Sequence, residues 1–97
     1  MPLMSVKLKN RFVKANPTLE VHLRNIRING DPRGCSGFIV NPANGKIAYV
    51  NTEGSVYGPL QGKIMYRTAE HLKDYTGGMN RWSTPDEIVT DVWDLLQ

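Results

Sequence analysis

The chain reads as an α+β domain: a four- to five-stranded, mainly antiparallel sheet from the N-terminal two-thirds, packed by one short and one longer C-terminal helix. Three observations predict this. Runs rich in Val, Ile, Leu, Phe and Tyr alternate with turn residues through residue 66, which is the pattern of short strands. Thr84-Pro85-Asp86-Glu87 then opens a stretch with apolar residues at helical spacing. Finally, 97 residues with 40% hydrophobic and 22% charged content suit one core, so the whole of 1–97 is read as a single domain.

In order, Met1–Met4 reads as a frayed leading segment or alternative-start remnant. From Val6 the chain alternates, with Val6, Leu8 and Phe12 on one side and Lys7, Lys9 and Arg11 on the other. Strand side chains repeat every two residues, so the expectation is a strand with one basic face. Asn16-Pro17 breaks it. Thr18 to Ile28 begins a second strand with Leu19, Val21 and Leu23 on one face; the apolar phase then slips to Ile26 and Ile28, which predicts a β-bulge or bend near Arg24-Asn25.

Asn29 to Gly34 is a turn by composition. It leads into the firmest local feature, Phe38-Ile39-Val40 and Ile47-Ala48-Tyr49-Val50 around Pro42-Ala43-Asn44-Gly45. Pro42 has no N–H to give to a ladder, and Asn44-Gly45 supplies the positive φ of a turn exit, so the segment predicts a hairpin. Its runs are nearly continuous, as expected when both faces are covered. Asn51 to Gly62 is a Gly-rich polar loop with room for a short strand at Ser55–Tyr57, and Lys63 to Tyr66 is a further strand, placed at an edge.

In the last third, Thr68 is read as the cap of a short helix through Tyr75, stopped by Gly77. Thr84-Pro85-Asp86-Glu87 is a capping box with Pro at the first helical position. Ile88, Val89, Val92, Trp93 and Leu96 form the buried stripe of the helix that follows.

Charge is polarised. Residues 1–33 carry seven Lys or Arg against two acidic residues, whereas residues 34–97 carry five against seven. The one cysteine excludes an internal disulfide, and no apolar run approaches the ~20 residues of a membrane span, so a cytoplasmic protein without a membrane role is the expectation.

Catalytic and metal-binding motifs are sparse. Cys35, in Gly34-Cys35-Ser36-Gly37, is a nucleophile candidate with His22 or His71 as base, but a lone cysteine at a strand start is more commonly a packed small residue. One Cys and two distant His residues make no structural zinc set, and no acidic cluster has calcium-loop spacing. Gly58-Pro59-Leu60-Gln61-Gly62-Lys63 lacks the glycine spacing and the Ser or Thr of a phosphate loop. Neither a catalytic residue, a metal nor a cofactor is assigned.

The chain is therefore read as a small non-catalytic binding module. Lys7, Lys9 and Arg11, with Arg24, Arg27 and Arg33, form the candidate surface for an anionic partner, nucleic acid or a nucleotide, because Lys and Arg neutralise phosphates. The alternative is a protein-interaction module or inhibitor of phage or mobile-element type, anchored by Tyr57, Arg81 and Trp82, since aromatic and Arg side chains dominate interface energetics. An enzyme using Cys35 is the third reading.

Overall fold

The computed structural model describes residues 4–28, 31–52, 64–74 and 79–97, with side chains at 6–25, 34–52, 64–74 and 79–97. It is an α+β fold: helix α1 (Met4–Ala15), strands β1 (Glu20–Ile28), β2 (Asp31–Asn41), β3 (Lys46–Asn51), β4 (Ile64–Ala69) and β5 (Arg81–Ser83), and helix α2 (Ile88–Leu95). The five strands form one antiparallel sheet in sequence order, so each pairs with the next.

The largest correction concerns the N-terminal segment, which is helical rather than a basic strand. Asn10 interrupts the apparent alternation, and the two residues that go into the core, Leu8 and Phe12, stand four apart on one helical face. Val6, which the strand pattern placed beside them, is 46% exposed. Lys, Arg, Leu and Ala are good helix formers, and Lys14 lies in the last turn, where the dipole favours a cation. The helix ends where expected: the Asn16 amide donates to Phe12 O at 2.9 Å, and Asn16 Oδ1 accepts from the amide and hydroxyl of Thr18 across Pro17.

Four smaller corrections follow from the sheet. Asp31–Gly34 is strand rather than turn: β2 there runs beyond the end of β3, which pairs only Ser36–Asn41, so Pro32 sits where no ladder is needed on one side. The register shift lies between Ile26 and Ile28, not at Arg24-Asn25, and β2 carries the extra residue, because Ile26 opposes Gly34 whereas Ile28 opposes Asp31. β4 is internal rather than an edge, because Arg81–Ser83, expected in a connection between helices, pairs with it as β5. Thr68 and Ala69 extend β4 in place of the short helix; a tight turn follows, in which the Asp74 carboxylate accepts from the Glu70 amide at 2.9 Å and Lys73 takes the left-handed φ of 73°. The expectations for residues 1–3, for a strand at Ser55–Tyr57, and for Gly77 lie outside the described residues.

The hairpin turn is as read, although helices cover only one of its faces. The last helix begins later than read: Thr84–Glu87 forms a turn and the helix starts at Ile88 with Glu87 at the cap position, so Pro85 is not its first helical residue. Asn41 opposes Lys46, and Gly45 has φ 77°. Thr84 Oγ1 accepts from the Glu87 amide at 3.2 Å and donates to Glu87 Oε1 at 3.0 Å, setting the turn from which Ile88–Leu95 continues.

Both helices cover one face of the sheet. The core between them comprises Leu8 and Phe12 of α1, Leu19, Cys35 and Ile39 from β2, Ala48 and Val50 from β3, Ile64 from β4, and Ile88, Val92 and Leu96 from α2 and its end. The hairpin turn also caps α2: Asn41 Nδ2 and Asn44 Nδ2 donate to Leu96 O at 3.0 and 2.8 Å, and Lys46 Nζ reaches Gln97 O. Arg11 Nη1 ties α1 to the turn before α2 by donating to Pro85 O at 2.6 Å.

Candidate functional site: the outer face of the sheet

Paired residues in an antiparallel ladder share a face, so the register assigns every side chain to the helix-covered inner face or to the outer one. One outer row runs His22, Phe38, Tyr49, Arg67 across β1 to β4, and the next runs Arg24, Ser36, Asn51, Met65, Trp82 across β1 to β5. At ~4.8 Å between strands the first row spans about 14 Å. It is a line of three rings and a cation.

Its middle is tightly built. The Phe38 and Tyr49 rings are tilted at 48° with centroids 5.2 Å apart, a favoured aromatic geometry. Arg67 lies over the other side of Tyr49, its Cζ 4.5 Å from the ring centroid. Asn51 Nδ2 donates to the Tyr49 hydroxyl at 2.8 Å, and Arg67 Nη1 donates to Asn80 Oδ1 at 3.2 Å. Arg67 is only 7% exposed, and its Nε and Nη2 find no hydrogen-bond partner among the described residues.

Beside Phe38 the turn after β4 folds back over this face. His22, Leu23, Arg24, Gly37, Phe38, Leu72 and Lys73 line an open groove of about 400 Å³. Leu72 is 45% exposed and Trp82 40% exposed, so apolar surface is accessible at both ends of the outer face. Gly37 is required where β1 and β2 approach: a Cβ there would lie 1.9 Å from His22 O.

The predicted basic residues do not form one face. Lys7, Lys9 and Arg11 are exposed on α1, on the helix side of the sheet, and the 100° helical step turns Lys9 away from the Lys7–Arg11 ridge. Arg24 lies on the outer face instead. The side chains of Arg27 and Arg33, and all of Tyr57, lie outside the described residues. Arg81 and Trp82 alternate on β5, so Trp82 joins the outer face and Arg81 points to the inner side.

Cys35 is fully buried on the inner face, where burial raises its thiol to about 11 despite the hydrogen bond to Thr52. His22 lies on the opposite face and His71 on the exposed turn after β4, so His22 is not brought to the thiol. Among the described residues no group of His, Cys, Asp or Glu is arranged to hold a metal, and no helix is long and apolar enough to cross a membrane.

Sequence reading missed Phe38, Tyr49, Arg67 and Asn80. The Phe38–Tyr49 pair was accessible, since a turn over residues 42–45 sets Asn41 against Lys46 and therefore Phe38 against Tyr49. Arg67 was hidden, because the long segment between β3 and β4 leaves their register free. No family model, curated protein or solved structure matches the chain.

Proposed function

We propose that this chain is a small binding module for an anionic partner, nucleic acid foremost, and that the outer sheet face rather than the N-terminal helix is the surface it uses. The observation that carries this reading is the juxtaposition of His22 and Arg24 with the Phe38–Tyr49–Arg67 stack and the groove beside Lys73. Phe38 and Tyr49 are themselves buried, so the accessible part of this face is the groove with Arg24 and Lys73, whose cations can neutralise phosphates, and the exposed Trp82 ring, on which a base can stack. A cytoplasmic setting suits it, since a reducing compartment keeps the lone Cys35 a thiol.

The test is anisotropy of a labelled single-stranded oligonucleotide across a salt series. Binding is expected to weaken with salt, and Arg24→Glu combined with Lys73→Glu to weaken it at least tenfold and flatten the salt slope. Lys7→Glu, Lys9→Glu and Arg11→Glu together are expected to do less. Salt-independent binding, or a larger loss from the helix variant, would overturn the assignment to the outer face.

A second reading, a protein-interaction module, has its own observation. β5 is a three-residue edge strand bearing the exposed Trp82, and Met79, two residues before the strand, is 76% exposed. An exposed edge with an aromatic anchor suits addition of a partner strand. Recovery of one stoichiometric partner, lost with Trp82→Ala, would favour it.

A further inference from the structure

We propose that the groove beside Lys73 is a receptor for a nucleotide phosphomonoester, carried by a strand end or by a free mononucleotide, rather than for the internal phosphodiesters of a strand. This rests on the anion-binding reading above and narrows it to one kind of phosphate at one place.

The groove is accessible, and three segments build it: His22, Leu23 and Arg24 of β1, Gly37 and Phe38 of β2, and Leu72 and Lys73 of the turn after β4. His22, Arg24, Leu72 and Lys73 are all exposed. Its volume of about 400 Å³ is toward the lower end of sites that hold one small molecule, which suits a single nucleotide and not a length of strand. Along the row of paired residues it ends at Phe38, whose ring packs on Tyr49 at 5.2 Å, with Arg67 beyond. A strand running through needs an open track, whereas a strand end or a mononucleotide needs only a recess.

The lining is amphipathic. Leu72, 45% exposed, and the half-buried Leu23 offer apolar contact to a base. Arg24 and Lys73 bring two cations to one opening, and the His22 imidazole adds a ring nitrogen for hydrogen bonding. A phosphomonoester carries a charge of about −1.5 to −2 at neutral pH, which two cations match. A phosphodiester carries one negative charge and leaves the second cation unmatched.

The backbone of Lys73 is an independent observation. Its φ of 73° lies in the left-handed region, where glycine sits freely and a lysine is strained; among the described residues no other non-glycine residue has a positive φ. The turn imposes this conformation: the Asp74 carboxylate accepts from the Glu70 amide at 2.9 Å, and the Asp74 amide donates to His71 O at 3.2 Å. Strain held by its surroundings clusters at binding sites. Glycine would serve the turn better, and lysine serves the groove.

The test is anisotropy of one internally labelled single-stranded oligonucleotide carrying a 5′-phosphate, a 3′-phosphate or neither. Alongside it, Tm is measured with a nucleoside 5′-monophosphate, its nucleoside and inorganic phosphate at matched ionic strength. One phosphorylated form is expected to bind at least about tenfold tighter than the unphosphorylated one. The monophosphate is expected to raise Tm more than the nucleoside or inorganic phosphate does. Lys73→Gly should melt a few degrees higher than wild type and lose the preference for a phosphorylated end. Lys73→Asn, which tolerates the left-handed conformation without the cation, should lose it too, so the test stands if one variant fails to fold. A preference that survives in either variant, or a Lys73→Gly that melts lower than wild type, overturns the role of Lys73. Protection by the monophosphate with no oligonucleotide binding supports the groove and overturns the strand as its source. Protection by inorganic phosphate equal to that by the monophosphate overturns the nucleotide specificity. Equal binding of all three oligonucleotides, with no protection by the monophosphate, overturns the receptor and leaves the module reading standing.

Discussion

Arg67 is stacked on Tyr49, its guanidinium carbon 4.5 Å from the ring centroid, on the face of the sheet that the two helices leave alone. The ring partly compensates a buried cation whose one hydrogen bond among the described residues is to Asn80. A double-mutant cycle of Tyr49→Leu and Arg67→Met, followed by denaturant unfolding, is expected to give a coupling energy of about 1 kcal/mol. Additive effects would mean that the ring and the guanidinium act independently.

Cys35 makes stability fall in alkali. Its thiol is raised from 9.0 to about 11 by burial, so the folded state holds the proton more tightly than the unfolded chain. The corresponding stabilisation is fully present below pH 9 and is lost as pH rises through about 11. It amounts to roughly 2–3 kcal/mol. Cys35→Val should remove this part of the decline, leaving that of Tyr66, whose hydroxyl is also raised by burial and by Asp91 and Asp94. Identical pH profiles for wild type and Cys35→Val between pH 9 and 11 would contradict the assignment.

Asn41 holds the end of α2 from the hairpin turn. Its buried amide donates to Leu96 O and its side-chain oxygen accepts from the Ala43 amide, so one side chain serves two elements. Asn41→Ala should cost about 1–3 kcal/mol, and the partly exposed Asn44→Ala about 1 kcal/mol or less. Urea midpoints of the two variants give the ranking, and the reverse order would be inconsistent with the burial.

Gly37 is a steric requirement of the β1–β2 pairing. With a Cβ 1.9 Å from His22 O, Gly37→Ala must push the strands apart. A loss of at least about 2 kcal/mol is expected. The same variant should alter the amide signals of His22 and Phe38, which line the groove with it.

Phe12 tests the helical assignment of the N-terminal segment. Fully buried at the helix–sheet interface, it should cost about 3–5 kcal/mol as Phe12→Ala. Val6→Ala, at a position 46% exposed, should cost less than about 0.5 kcal/mol. A strand would have made the two losses similar.

Much of the fold was legible where local chemistry is decisive. Pro42 and Asn44-Gly45 define the hairpin, and Thr84-Pro85-Asp86-Glu87 announces the last helix, though as the turn that leads into Ile88 rather than as its first turn. The N-terminal segment was misread because Leu8 and Phe12 fit both a period of two and a spacing of four; only their partners, Ile88 and Val92 among them, decide between these. Thr68 was misread for a related reason, since a capping residue also suits a strand, and pairing with Ala48 prevails. The outer-face row was half legible: the hairpin implies Phe38 beside Tyr49, whereas Arg67 arrives through a register that tertiary pairing alone sets.

The order of the strands has a consequence for how the protein is made. Each strand pairs with the one before it, so every strand can pair as soon as it leaves the ribosome, without waiting for a later one. The last residue that the sheet gives to the core is Ile64, yet Ile88, Val92 and Leu96, which close over it, are synthesised afterwards. At 5–20 residues per second the ribosome needs roughly two to six seconds to cover that interval. During this time Ile39, Val50 and Ile64 have only α1 available as cover, and the nascent sheet is at its most prone to aggregate. A chain stopped short of α2 is therefore a sheet with an open apolar side, and protection of that side on the ribosome would be set by translation speed.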